Sequence, residues 1–301
     1  MSPAGAKPLA AIPDGMRLIA ARRSLPAQFR DVWLYRELVG GLVTRELKVR
    51  YKNSALGFLW SMAQPVFLLV VYTAVFSILG AGFENFAVWV MSGLIVWTLL
   101  ATSLTTSAQS VTSNSYLVSK VTFPRIILPL STSGSALVHF ALQLATLGVI
   151  LLVAGHDVAW SELWLLPLAI VVVVVLCAAL GSLLSVVNVY ARDTQHLLDV
   201  LMVAWFWATP IIYQYERTTA WLAERSLPTW LPLLNPMTPV VTAFQRAVYG
   251  TNAAGDRLLL PDVGTWWYAR NLGIVGIASM LLLAIAFRLF DRAEGNFAEV
   301  L

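Results

Sequence analysis

The chain has 301 residues, 58% of them hydrophobic and 12% charged, with a formal net charge of +4 and a mean hydropathy of +0.74. Soluble domains carry about 25% charged residues, so the composition excludes them and describes an integral membrane protein. The basic excess fits the retention of Lys and Arg beside the inner leaflet and gives no argument for a nucleic-acid partner.

Residues 1–27 mix Ala, Pro and Arg without the apolar core of a signal peptide and read as a mobile cytoplasmic tail. Over 28–53 the pattern changes. Leu34, Leu38 and Leu42, then Val43 and Leu47, recur at helical spacing among Arg36, Arg45, Lys48, Arg50 and Lys52. That spacing predicts an amphipathic helix in the membrane interface, with a solvated cytosolic helix as the alternative. Gly40-Gly41 is expected to bend or break it.

A spanning helix needs about 20 apolar residues. Stretches free of Asp, Glu, Lys and Arg run between Lys52 and Glu84, Glu84 and Lys120, Arg125 and Asp157, Glu162 and Arg192, and Arg270 and Arg288. Another, Leu197 to Tyr213, carries only Asp199. Residues 54–301 are thus expected to be a six-span domain, with helices near 57–80, 86–108, 126–154, 164–190, 196–213 and 270–289. The fold class is an all-α integral membrane protein. Placing the N-terminus inside leaves only Arg217, Arg225, Arg246, Arg257 and Arg270 outside, of 20 Lys and Arg, so both termini are expected to be cytoplasmic.

The end of the second span, "TSLTTSAQSVTSNSYLVSK", is too polar for lipid and must face protein or water or continue into the cytoplasm. It leads to a short helix, about 111–123, at the cytoplasmic mouth. Pro124 is expected to stop that helix, and Pro129 is tolerated early in the next one. On the outer side, residues 214–250 are amphipathic and broken by Pro228, Pro232, Pro236 and Pro239, which suggests two short helices dipping into the outer leaflet, the second closed by Gly250. The loop that follows ends in an aromatic belt, Trp266, Trp267 and Tyr268.

Soluble-type catalytic motifs are absent: the chain has no phosphate-binding loop, H-E-x-x-H, C-x-x-C or G-x-S-x-G. Its one cysteine, Cys177, gives neither a disulfide framework nor a thiol metal site. His139, His156 and His196 are far apart, and His139 reads as a buried hydrogen-bonding group. Asp199 is the one acid inside a span. It is either a functional intramembrane charge or a structural one, paired with Arg192 or placed near a helix N-terminus. A multipass glycosyltransferase would want acids gathered at one membrane face, and an ATP-independent transporter would want more intramembrane charge.

Five stretches together are similar to one family: "LVTRELKVRYKNSALGFLWSMAQPVF" (42–67), "SYLVSKVTFPRIILPL" (115–130), "NVYARDTQHLLDVLMVAWFWATPIIY" (188–213), "LLNPMTPVVTAFQRAVYG" (233–250) and the closing "AEVL". They resemble the membrane subunit of ABC-type exporters of lipid-linked polysaccharide, the transport permeases for O-antigen, teichoic acid, capsule and galactan. The resemblance implies a bacterial cytoplasmic membrane protein that forms a homodimeric channel and pairs with two copies of a cytosolic ATPase. ATP and Mg would be bound by that partner, with no cofactor in this chain.

It further implies that the helix near 111–123 is a coupling helix docked on the ATPase through Ser115, Tyr116, Lys120, Phe123 and Arg125, with Tyr116 and Phe123 as apolar anchors. An ordinary solvated loop is the bland alternative. Sugar rings stack on aromatic faces, so Phe58, Trp60, Phe67, Tyr72 and Phe76 in the first span and Trp205, Phe206, Trp207 and Tyr213 in the fifth are candidates for the substrate path, although each alone reads as core or lipid-facing. Lys48, Arg50 and Lys52 are placed for a lipid head group, or simply for retention of topology.

Overall fold

The computed structural model describes residues 24–52, 60–78, 83–156, 158–250, 253–254 and 257–300. Most of the expected tail, Phe58 and both ends of the expected first span lie outside them. Apart from a two-residue antiparallel ladder, Ala253–Ala254 (β1) with Arg257–Leu258 (β2), the described elements are helices.

The expected 28–53 helix is two helices, α1 (Leu25–Leu34) and α2 (Arg36–Tyr51). The break falls at Tyr35 and not at Gly40-Gly41. Helical glycine costs only about 1 kcal/mol relative to alanine. α2 runs through both glycines, with the Thr44 hydroxyl donating back to the Gly40 carbonyl at 2.8 Å.

Among the described residues four helices are long and apolar enough to cross a membrane. They are built on α4 (Phe86–Gln109), α6 (Ile127–Ala154), α7 (Leu165–Tyr190) and α11 (Thr265–Ala293). α4 is the centre of the bundle: 78% of its most apolar window is buried, against 28 to 39% for the other three. The other three therefore keep apolar faces for lipid or for other protein. α3 (Trp60–Ile78) is also apolar but is largely exposed along Phe67, Val70, Val75 and Ile78.

The polar end of α4 faces protein. Ser107 Oγ lies 3.1 Å from the Pro129 carbonyl, 2.9 Å from Thr132 Oγ1 and 3.2 Å from Ser133 Oγ, all on α6. Small residues let helix backbones approach where lipid offers no hydrophobic drive. Pro129 is the third residue of α6, where its missing N–H would have had no intrahelical partner.

Between α7 and α11 the chain makes a folded excursion. α8 (Thr194–Trp207) has 14 residues, about 21 Å of helix against about 30 Å of hydrocarbon. It stops before Pro210, and residues 209–212 continue as buried irregular backbone. After α9 (Tyr215–Glu224) and a turn of 3₁₀ helix at Leu231–Leu234, α10 (Met237–Tyr249) returns and is closed by Gly250 at φ 81°. α10 is enclosed by protein. Every residue but Arg246 is buried, packed on α4, α7 and α11. The belt expected at 266–268 is likewise divided: Trp266 is exposed, whereas Tyr268 is buried with its hydroxyl on the Pro261 carbonyl at 3.2 Å.

Candidate functional site

One end of the bundle carries α5 (Ser115–Lys120), entered through a 3₁₀ turn at Thr112–Asn114. Pro124 does not end α5 directly; the helix stops at Lys120 and Val121 is extended. Two residues expected to act alike are placed differently. Tyr116 is 73% exposed, whereas Phe123 is half-buried against a cluster containing Val118, Ile126, Phe290 and Phe297. Lys120 is exposed at the end of α5, and Ser115 faces a recess of about 330 Å³ shared with Gln109, Ser113, Arg192 and Gln195. Arg125 is engaged within the chain: its guanidinium donates to the carbonyls of Val118 and Glu294.

Arg192 and Asp199 are both exposed and form no ion pair with each other. Asp199 is the sixth residue of α8, past the first turn.

α2 is seated on α6. Gly134 approaches Val43 so closely that a Cβ there would lie 3.0 Å from Val43 Cγ2. At the end of α2 the Tyr51 hydroxyl bonds His139 Nε2, while His139 Nδ1 donates to the Ser135 carbonyl at 2.8 Å. The imidazole thus joins α2 to α6. Glu46 faces the same helix, and burial raises its pKa above the usual carboxylate value, an effect opposed by the Ser135 hydroxyl and the Arg50 charge. Leu42, Arg45, Glu46 and Val49 line one side of a polar cavity of about 300 Å³ closed by Thr106, Gln109, Asn114 and Ser131. Arg50, Lys48 and Lys52 are exposed.

The far end of the bundle is organised by side chains with few sequence cues. Asn235 binds four groups: its oxygen accepts from the Trp205 indole at 2.7 Å and from the Met237 N–H at 3.0 Å. Its nitrogen donates to the Ala208 carbonyl at 3.2 Å and to Thr209 Oγ1 at 2.8 Å. One residue therefore caps the end of α8 and the start of α10. Gln245 Nε2 donates to the carbonyls of Pro210 and Ile211 at 3.3 and 3.0 Å. Buried irregular backbone is tolerated at membrane depth only where protein supplies such partners.

Gly93 of α4 admits this segment, since a Cβ there would meet Ile211 Cγ2 and Val241 Cγ1 at 3.2 Å. Beyond it, Arg246 pairs with Glu162 at 2.9 Å, and Glu162 also accepts from Thr265 at 2.8 Å. His156 Nε2 donates to the Tyr249 carbonyl at 3.0 Å, and its Nδ1 faces the Asn85 amide at 3.1 Å.

The aromatic candidates divide between core and surface. Tyr72 stacks on Phe206 at 6.4 Å, Phe76 on Phe86 at 5.4 Å, and Trp97 of α4 meets Trp205 and Phe206 edge-on at 6.1 and 5.6 Å. Trp60, Phe67 and Trp207 are exposed. Tyr213 is half-buried and donates to the Trp207 carbonyl at 2.8 Å. Asn235 and Gln245 left little signal in the sequence, an amide beside Pro236 and another in a largely apolar helix next to Arg246.

Apolar helices long enough to span, a folded excursion held by amides and an exposed short helix at the opposite end together describe a multi-pass membrane protein. The model of the family described as ABC-2 type transporter matches residues 37–249, well over half of the chain, which belongs to that family of membrane permeases. A protein of Myxococcus xanthus named O-antigen export system permease protein RfbA is 31% identical over 271 residues, covering 90% of this chain and 97% of its own length. Two Klebsiella pneumoniae proteins of the same name are 26 and 25% identical, covering 88 and 92% of this chain and 95 and 100% of theirs.

Proposed function

We propose that this chain is the membrane subunit of an ATP-driven exporter that moves a lipid-linked polysaccharide of the O-antigen kind across the bacterial cytoplasmic membrane. The observation that carries the reading is the end-to-end similarity to O-antigen export permeases, 97% of the Myxococcus protein being covered. Two copies form the channel, and a separate cytosolic ATPase binds ATP and Mg. The chain crosses six times, α3 and α8 with its buried extension supplying the first and fifth spans, and both termini are cytoplasmic. Exposed apolar residues on those two elements, Val70 on α3 and Val200 and Val203 on α8, suit a second copy.

α5 is the docking helix. Its exposed Tyr116 and Lys120 suit a partner surface, and Ser115 flanks them at the recess beside Arg192. Trp60, Phe67 and Trp207 offer open aromatic faces for sugar rings, and Lys48, Arg50 and Lys52 offer charge for a phosphate head group. Copurification with the ATPase expressed beside it, followed by ATP hydrolysis with and without lipid-linked glycan from the host, tests the reading. Stimulated hydrolysis is expected. An ATPase that binds nothing and a chain that supports no surface polysaccharide would overturn it.

A further inference from the structure

The root of α5 is held by the end of the chain. After α11 the backbone makes a 3₁₀ turn at Glu294–Asn296 and a last helical turn, α12 (Phe297–Val300). Phe297 is fully buried, edge-on to Phe290 at 5.4 Å and against Tyr190 of α7 at 6.3 Å. It shares one apolar cluster with Val111 and Val118, which flank and belong to the docking segment. The Arg125 guanidinium spans the same junction. It donates to the Val118 carbonyl on α5 at 3.2 Å and to the Glu294 carbonyl, and the Arg125 N–H reaches Glu294 Oε2 at 3.3 Å. Tyr190 adds a hydroxyl bond to the Ala293 carbonyl at 3.4 Å.

A helix of six residues has no stability of its own. α5 keeps its place because something else fixes it, and residues 290–297 supply part of that support, through Phe290 and Phe297 in the cluster and through Glu294 on Arg125. The six residues also expose Tyr116 on the side away from this cluster, so the same short helix is anchored on one face and open on the other.

We propose that the C-terminal turn is a clasp that positions the docking helix and ties it to α11 and α7, so that force applied to α5 moves those helices with it. The proposal rests on α5 being the docking helix. Phe297 and Arg125 are then positioning residues, and Arg125 acts on the interface through Val118 without facing the ATPase. A loosened clasp leaves the ATPase bound to a helix that swings freely.

The test uses the full complex of permease and ATPase, with Phe297→Ala and Phe297→Leu. Phe297→Ala should leave the ATPase copurifying and hydrolysing ATP. Amide hydrogen exchange over 115–120 should quicken at least about tenfold while α4 and α7 stay protected. Polysaccharide on the host cell surface should fall at least about tenfold, since a large buried ring is lost from the junction. Phe297→Leu, which refills much of the cavity, should restore both. If Phe297→Ala does not accumulate, Arg125→Gln removes the carbonyl bridge alone and should quicken the same amides. Parent-level exchange over 115–120 in these variants, with or without a loss of export, would overturn the clasp. Failure of a Tyr116→Cys variant, made in a Cys177→Ser chain, to cross-link to the ATPase would instead sink the docking reading and leave the exchange result standing.

Discussion

Gly181 of α7 lies so close to Ser107 of α4 that a Cβ at Gly181 would sit 2.8 Å from both Cβ and Oγ of Ser107. Neither neighbour can withdraw cheaply, because Ser107 is already hydrogen-bonded to Thr132 and to the Pro129 carbonyl. Gly181→Ala should therefore lower thermal stability in detergent by about 1–3 kcal/mol, the usual range for overpacking. Gly148→Ala on α6 is the control. Its Cβ would meet nothing within 4 Å, so the gain in helix propensity should leave stability unchanged or raise it by up to about 1 kcal/mol.

Asn235 is expected to dominate the stability of the folded excursion. Asn235→Ala removes four hydrogen bonds and strands the Trp205 indole, which should cost about 2–4 kcal/mol in thermal unfolding. Asn235→Asp keeps the acceptor for Trp205 and Met237 and loses the donor to Ala208 and Thr209. Its second carboxylate oxygen also faces the Ala208 carbonyl, an acceptor against an acceptor, so the variant should be clearly less stable than the parent at neutral pH, and parental stability would show that the amide nitrogen contributes nothing.

Glu46 gives the seat of α2 on α6 a pH dependence with a definite sign. Burial raises its pKa in the folded chain, so folding favours the protonated carboxyl. That contribution is fully present below the ordinary carboxylate value of 4.5 and is lost as pH rises through the raised value. Glu46→Gln, neutral at every pH, should be more stable than the parent at about pH 8, with the difference shrinking toward about pH 4. A stability difference that does not change across that range would remove Glu46 from the account.

The spanning helices were legible because hydrocarbon imposes a length and excludes charge: the third was expected at 126–154 and runs Ile127–Ala154. Gly250 was legible for a similar reason, since a helix closing in a left-handed turn favours glycine. Partners were not legible. Leucine facing lipid and leucine facing protein look alike in a sequence, so the enclosure of α10 and the burial of Tyr268 left no trace. The Arg125 contact to Glu294 spans 169 residues, and nothing local distinguishes a tethered arginine from a docking one. The break at Tyr35 defeated expectation because paired glycines weaken a helix without ending it.

Tyr116 and Phe123, alike in the sequence as two apolar residues in a polar segment, should respond differently to truncation. Tyr116 is 73% exposed and makes no ring contact among the described residues, so Tyr116→Ala should leave unfolding within about 0.5 kcal/mol of the parent. If α5 docks on the ATPase, the same change removes an aromatic anchor and should weaken the complex by about 1–2 kcal/mol, a roughly five- to thirtyfold rise in Kd. Phe123 packs against the cluster of Val118, Ile126 and Phe297. Phe123→Ala should cost stability of the isolated permease, about 1–3 kcal/mol for a half-buried ring, and weaken the complex only through that loosening. The two signatures separate in one experiment, thermal unfolding of the permease beside titration with its ATPase. A Tyr116→Ala chain that unfolds early, or one that binds the ATPase with parental affinity, would mean that this exposed ring is not the anchor.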